Sequence, residues 1–219
     1  MISKAQSLDN FIDKSLYEKN KGYYQRKMEF GRRGDFITSP GISKLFSEMI
    51  AIWVVSFWEN LNKPEKINLV ELGAGNGELI EVLINTLNKL EIVKDKFKFF
   101  IFEKSVSLKK LQKKKFSKSV KWLDNFDKLP NFPTIFLANE FFDALPIKQF
   151  IKINEEWYEN FVLLNKSGKF SLEKKKVTKK NMEKIFNQGI DENQNFIEFS
   201  PLMVKYLKNI CKKIKSSAG

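Results

Sequence analysis

The sequence predicts an α/β fold built on a doubly wound parallel sheet, and three observations lead there. Short apolar runs alternate with helical periodicities from residue 67 onward. A glycine-rich turn joins the first of those runs to the helix that follows it. After Pro146 the pattern changes to period-two alternation, which adds an antiparallel insertion to the sheet.

The elements are read in chain order. Leu8, Phe11, Ile12 and Leu16 recur at helical spacing and predict a short first helix. Residues 31–41 read as a loop punctuated by Gly31, Gly34 and Pro40. Ser39 is a good N-cap and Pro40 a good first residue for the next helix. Ile42, Leu45, Phe46, Met49, Ile50, Trp53, Val54, Phe57 and Leu61 then form one apolar stripe, expected to pack into the core. Strands follow at Ile67–Leu72, Phe97–Phe102, Val120–Leu123 and Thr134–Ala138, separated by helices at Leu79–Leu90 and Leu108–Phe116. Beyond Pro146, residues 147–153, 157–164, 169–172 and 195–199 read as strands, with a turn at Asn165–Gly168. Lys174–Lys176, Lys179 and Lys180 read as a solvated face. A last helix spans Pro201–Ile214 with Leu202, Tyr206, Leu207 and Ile210 inward. The expected division is 1–62, an N-terminal helical segment and loop; 63–146, a nucleotide-type core; 147–200, the insertion; and 201–219, a core helix.

Composition narrows the chemistry. The chain has 219 residues, 42% of them hydrophobic, including 21 Phe, enough for a sizeable core. It has no histidine and one cysteine, Cys211, which excludes imidazole catalysis, an intrachain disulfide and cysteine-based metal sites. No metal site is expected. No run approaches the roughly 18 apolar residues of a membrane span, so no membrane insertion is expected. Residues 1–16 carry Asp9 and Asp13 and lack an apolar segment, which argues against a signal or transit peptide and leads to a cytoplasmic expectation. The net charge of +13 raises a nucleic-acid partner. Lysine is spread along the whole chain, however, and Lys, Asn, Ile and Phe are abundant together, which reads as compositional bias.

The motif with chemical content is Leu69-Val70-Glu71-Leu72-Gly73-Ala74-Gly75-Asn76-Gly77. Gly73, Gly75 and Gly77 let the backbone turn tightly between strand and helix and approach a ligand closely. The nicotinamide fingerprint needs a third glycine at position 78, which here is Glu78. An acid at the helix start also suits a pyrophosphate poorly. S-adenosylmethionine (SAM) carries no phosphate, and Glu71 fits the acid usual before the glycines of a SAM site. A SAM site also needs an acceptor-only group for both ribose hydroxyls at the end of the second strand, where Glu103 stands. Asp124, after the third strand, falls where the adenine would lie. A nicotinamide-binding domain stays open as the alternative.

Beyond the fourth strand, Asn139-Glu140-Phe141-Phe142-Asp143-Ala144-Leu145-Pro146 places polar groups outside a carboxyl strand end, where doubly wound sheets bind ligands. With this motif the chain resembles the MidA-like SAM-dependent methyltransferases, a family with protein arginine methyltransferases of respiratory complex I assembly. Four segments carry the match: Gly34–Pro40 with Ile42, Ser43, Phe46, Glu48 and Trp53; Val70–Gly77; Phe102–Ser105 with Leu108, Leu111 and Gln112; and Asn139–Pro146 with Gln149 and Phe150. Trp157 and Glu159 also fit. Gly41, Ala74 and Asn76 depart from the residues common there, which are Glu, Pro and Arg.

The resemblance implies a Rossmann-like class I methyltransferase with SAM as cofactor and a protein substrate, a complex I subunit or a similar protein. It implies that Asp35, Thr38 and Ser39 close over the cofactor and that Ser105 contributes to the second-strand motif. It also implies further core strands after the last helix, so the chain reads as C-terminally truncated. A guanidinium is cationic and a poor nucleophile, so carboxylates must hold it and orient its lone pair. Glu140 and Asp143 are the candidates, with Asn139 orienting the acceptor or the amino-acid end of SAM. A small-molecule or RNA acceptor, or a non-catalytic fragment, are the other readings.

Overall fold

The computed structural model describes residues 5–25, 43–165 and 168–217. The chain begins with a two-residue strand β1 (Gln6–Ser7), helix α1 (Leu8–Tyr17) and a 3-10 turn at Tyr23–Gln25. Helix α2 (Lys44–Asn60) precedes the core, in which β2 (Ile67–Leu72), α3 (Glu78–Leu87), β3 (Phe97–Phe102), α4 (Val106–Phe116), β4 (Val120–Leu123) and β5 (Thr134–Leu137) alternate. The second half holds β6 (Lys148–Ile153), β7 (Glu156–Leu164), β8 (Phe170–Val177), α5 (Lys179–Phe186), β9 (Phe196–Phe199) and α6 (Pro201–Ser217).

β2 to β5 form a four-stranded, all-parallel sheet in the order β4-β3-β2-β5. The sequence of β2 and β3 explains their central place. INLVEL is buried at all six positions and FKFFIF at four, as strands covered on both faces must be. Asn68, one of two polar residues inside β2, is fully buried, and its amide donates to the Pro130 carbonyl (3.0 Å) and Thr134 Oγ1 (3.0 Å). That bond fixes the turn that feeds β5 into register beside β2.

Helices cover both faces, which makes the sheet doubly wound as predicted. Ala51, Val54 and Trp58 of α2 and Leu79, Ile80, Leu83 and Leu87 of α3 pack with Ile67, Leu69, Phe99 and Ile101. On the other face Val70, Leu72 and Phe100 meet Leu123, Phe126, Leu129 and Ile210 of α6. No strand among the described residues pairs with the outer edge of β5.

The region after Pro146 is antiparallel, as expected, and centres on β7. β8 runs along one edge of β7, β6 and then β1 along the other, and β9 lies outside β6. α5 closes this sheet, with Met182 and Phe186 packed on Phe150 and Trp157. Asp9 of α1, Lys148 of β6 and Glu159 of β7 form an ion triad at 3.2 and 2.8 Å that joins the N-terminal segment to the sheet.

Three details differ from the sequence reading. The sequence reads the start of α5 as a lysine-rich face, because its two buried residues, Met182 and Phe186, are too few to mark a helix. Only part of the expected apolar stripe of α2 faces the core: Val54 is buried and Ile50 packs against it, while Ile42 lies outside the described residues. Leu45, Met49, Trp53, Phe57 and Leu61 are 63, 59, 47, 42 and 41% exposed. The buried face is Ser47, Ala51, Val54 and Trp58, whose small residues let the helix approach α3 closely. Leu207 of α6 likewise points outward, at 43% exposure. No helix among the described residues is long and apolar enough to cross a membrane.

Candidate active site

The carboxyl ends of β2, β3 and β5 converge, as the parallel order requires, and the motif residues are carried there. Gly73, Gly75 and Gly77 all adopt positive φ, at 68, 55 and 80°. A Cβ on Gly73 would lie 2.7 Å from Phe141 Cδ2, and one on Gly77 would lie 2.5 Å from Phe116 Cε2. These two glycines therefore serve close approach by the protein's own rings as well as the turn itself. Phe141 thereby docks the segment after β5 onto the glycine loop.

Gly77 stands at the N-cap of α3 and has no side chain to cap it. Two neighbours supply acceptors instead. Asn76 Oδ1 accepts from the Glu78 amide at 3.2 Å, and the Glu71 carboxylate accepts from the Ile80 amide. Asn76, a departure from the family pattern, thus has a local role. Glu71 is 4% exposed, and its Oε2 has no hydrogen-bond partner among the described residues. Burial pushes its pKa up to about 8, against the Ile80 amide, with the nearby Glu103 adding to the rise and Lys115 opposing it. Glu71 is therefore part of the interior under the loop.

Glu103 follows the last residue of β3 and is 8% exposed. Its Oε1 accepts from the Ser105 amide at 2.8 Å and its Oε2 from Gln112 Nε2 at 3.2 Å. Each oxygen keeps acceptor capacity beyond those bonds. Burial raises its pKa, and the hydrogen bonds from Ser105 and Gln112 act the other way. Ser105 is fully buried, and its hydroxyl is committed within the protein: it accepts from the Leu108 amide as N-cap of α4 and donates to the Tyr24 carbonyl. Ser105 thus holds neighbours in place through its hydroxyl. Ser107 Oγ donates to the same carbonyl at 2.8 Å.

Asp124 ends up on the surface. Its side chain is 69% exposed and pairs with Lys109 at 3.0 Å and Lys128 at 3.8 Å, and the Lys109 bond lowers its pKa. Asp35, Thr38 and Ser39 lie outside the described residues. Asn139 is half-buried, while Glu140 and Asp143 are exposed after β5. Glu140 has φ 47°, a left-handed conformation that a residue with a side chain adopts only when its surroundings impose it.

Residues the motifs did not reveal complete the site. Tyr24 is pinned by its carbonyl to the first turn of α4. Burial raises the pKa of its phenol, and Asp143, Glu103 and Glu140 add to the rise. Tyr24 therefore stays protonated beside Asp143, Glu103 and Glu140. Tyr17 packs on Tyr24 at 5.5 Å and lies under Lys104 Nζ, which pairs with Asp13 at 2.6 Å. Phe102, Phe141 and Tyr206 of α6 form an aromatic wall, with ring centroids 5.3 to 6.3 Å apart. Tyr24 has no sequence signal of its own, since its role comes from a contact 81 residues away.

The donor set suits SAM. Glu103 offers an acceptor-only carboxylate with spare lone pairs at the end of β3, which suits a ligand that presents hydroxyl groups. No group of three or more His, Cys, Asp or Glu placed to hold a metal occurs among the described residues.

Comparison with known proteins agrees. Residues 49–219, more than half of the chain, match the family model for S-adenosyl-L-methionine-dependent methyltransferases. The Xenopus laevis mitochondrial protein arginine methyltransferase NDUFAF7 is 29% identical, over 97% of this chain and 54% of its own length. The Drosophila melanogaster homolog is 33% identical, over 68% of this chain and 39% of its own. A Burkholderia thailandensis methyltransferase solved with S-adenosyl-homocysteine (SAH) superposes with a TM-score of 0.75 at 25% identity, over 94% of this chain and 55% of that one. The chain spans about half the length of the curated relatives it matches. With the family model matched over residues 49–219 and the glycine loop and Glu103 at the carboxyl ends of β2 and β3, the chain belongs to the MidA-like family of SAM-dependent methyltransferases.

Proposed function

We propose that this chain carries the cofactor half and the acceptor-holding acids of a protein arginine methyltransferase. The observation that supports the reading is the docking of Phe141 on Gly73, since Phe141 follows Glu140, at φ 47°, and shares its segment with Asp143. The names of the relatives support the acceptor class.

Bound SAM supplies an electrophilic methyl group on a sulfonium. The residues of the chain do the rest. Glu103 would hold the ribose hydroxyls, and the glycine loop would lie along the cofactor. Glu140 and Asp143 would fix a guanidinium by charge-assisted hydrogen bonds, aim the lone pair of one nitrogen and offset two adjacent positive charges. Tyr24, protonated, gives those acids a neutral neighbour.

The test is transfer from labelled SAM by this chain into cell-extract proteins, with the labelled residue identified. Label on arginine that disappears in Glu140→Gln, while SAH affinity stays within a few-fold, is the expected outcome. Label on RNA or a small molecule, transfer unchanged in Glu140→Gln, or no transfer at all would each overturn the proposal.

A further inference from the structure

Gln112 sits on α4 and is fully buried. A buried primary amide has two donor hydrogens and an acceptor oxygen to satisfy. Here the partners come from three consecutive strands. Nε2 donates to the Gly75 carbonyl at 2.8 Å, in the loop after β2. It also donates to Glu103 Oε2 at 3.2 Å, just past β3. Oε1 accepts from Trp122 Nε1 at 3.0 Å, within β4. We infer that Gln112 is a positioning residue for the cofactor, its one amide setting the gap between the glycine loop and the Glu103 carboxylate.

The chemistry of the site requires such a clamp. Glu103 is a buried carboxylate that forms no ion pair at hydrogen-bond distance among the described residues, so neutral donors among them orient it. The Ser105 amide fixes Oε1, and among the described side chains Gln112 fixes Oε2. Gly75 sits at φ 55° in the glycine loop, and the Gln112 bond restrains its carbonyl. Trp122 prevents the Gln112 amide from flipping, because a reversed amide would set two donors against each other. Leucine would fill the same volume and supply none of these bonds. Glutamate would keep the shape and the acceptor but would place a second carboxylate against Glu103. Other charged or titratable groups facing Glu103 are Glu71 from β2, Lys109 from α4, and Tyr17 and Tyr24 from the N-terminal segment.

This inference rests on the cofactor reading, and calorimetry of SAH binding to the purified chain tests both. Wild-type binding establishes the cofactor site. Against it, Gln112→Leu is expected to weaken SAH about tenfold or more, the cost of leaving a buried charged group short of a donor. Gln112→Glu is the readout that a merely structural role would not move. At pH 8 the introduced carboxyl is ionised and repels Glu103; at pH 5.5 it takes up a proton and donates again. Its SAH affinity relative to wild type is therefore expected to recover at least about fivefold between those two pH values. SAH binding by Gln112→Leu within twofold of wild type would overturn the clamp, as would a Gln112→Glu deficit equal at both pH values. Absence of SAH binding by the wild-type chain would overturn the cofactor reading and the clamp with it.

Discussion

Replacing Glu71 by glutamine tests the electrostatics beneath the glycine loop. The carboxyl is 4% exposed, accepts one backbone bond from Ile80 and leaves Oε2 unpartnered. Burial, then the Glu103 charge, raise its pKa from 4.5 to about 8, with the Ile80 bond and Lys115 opposing. The folded protein thus binds more protons than the unfolded chain between those two values. The contribution of this group to stability is full below the unfolded pKa and is lost as pH rises through the folded pKa. A gap of that size corresponds to roughly 5 kcal/mol, lost at up to about 1.4 kcal/mol per pH unit. Glutamine, uncharged throughout, keeps an acceptor for Ile80 and escapes the titration. Urea denaturation of both proteins from pH 5 to pH 9 isolates the difference. Glu71→Gln is expected to be no more stable than wild type at pH 5 and several kcal/mol more stable at pH 8.5. Glu103, whose pKa burial also raises, titrates in both proteins and largely cancels. A stability difference that does not change with pH would refute the assignment of a neutral, buried Glu71.

Two further substitutions probe the packing that positions the site. Gly73→Ala places a Cβ 2.7 Å from Phe141 at φ 68°, and the left-handed backbone alone costs about 1–2 kcal/mol. A lower thermal midpoint, partly restored by adding Phe141→Leu, is expected; an unchanged midpoint would show that Phe141 does not rest on the loop. Lys148→Met leaves Asp9 and Glu159 without their shared cation at side-chain exposures of 20 and 13%. Burial alone would lower the Lys148 pKa, but the two carboxylates outweigh it and raise it, so this contribution persists below pH 10.5 and is lost above the raised value. Chemical denaturation at neutral pH is expected to show a loss of about 2–3 kcal/mol. Adding Asp9→Asn and Glu159→Gln should recover most of that loss, and no recovery would mean that the triad is not the cause.

The sheet was legible because its signals are local. Each parallel strand is a continuous apolar run, each crossover helix has its own periodicity, and INLVEL can be placed inside a sheet from its own six residues. The ends of the strands were legible too, so Glu71, Glu103 and the Asn139–Asp143 segment could be placed on one edge from order alone. What each carboxylate does there was not legible. Glu71 and Glu103 both follow apolar strand sequence and both are buried, yet one is bonded to Ile80 in α3 and the other to Ser105 and Gln112 in and before α4. Asp124, at the corresponding end of β4, is taken by Lys109 instead. Partners across helices decide among these outcomes, and no spacing encodes them.

The same reason explains α2. Its large apolar residues occupy so much of its circumference that periodicity cannot select a face, and the choice falls to volume. β2 and α3 already present Ile67, Leu69, Ile80 and Leu83 to the space α2 must enter. A helix can approach that surface only along its thinnest stripe, and Ser47, Ala51 and Val54, ending in Trp58, provide it. Trp58 then fixes the axial position through its Nε1 bond to the Pro64 carbonyl at 2.9 Å. Leu45, Met49 and Trp53 face outward because the opposite stripe is the one that fits. Complementarity of size, a property of two elements together, overrode hydrophobicity, a property of one.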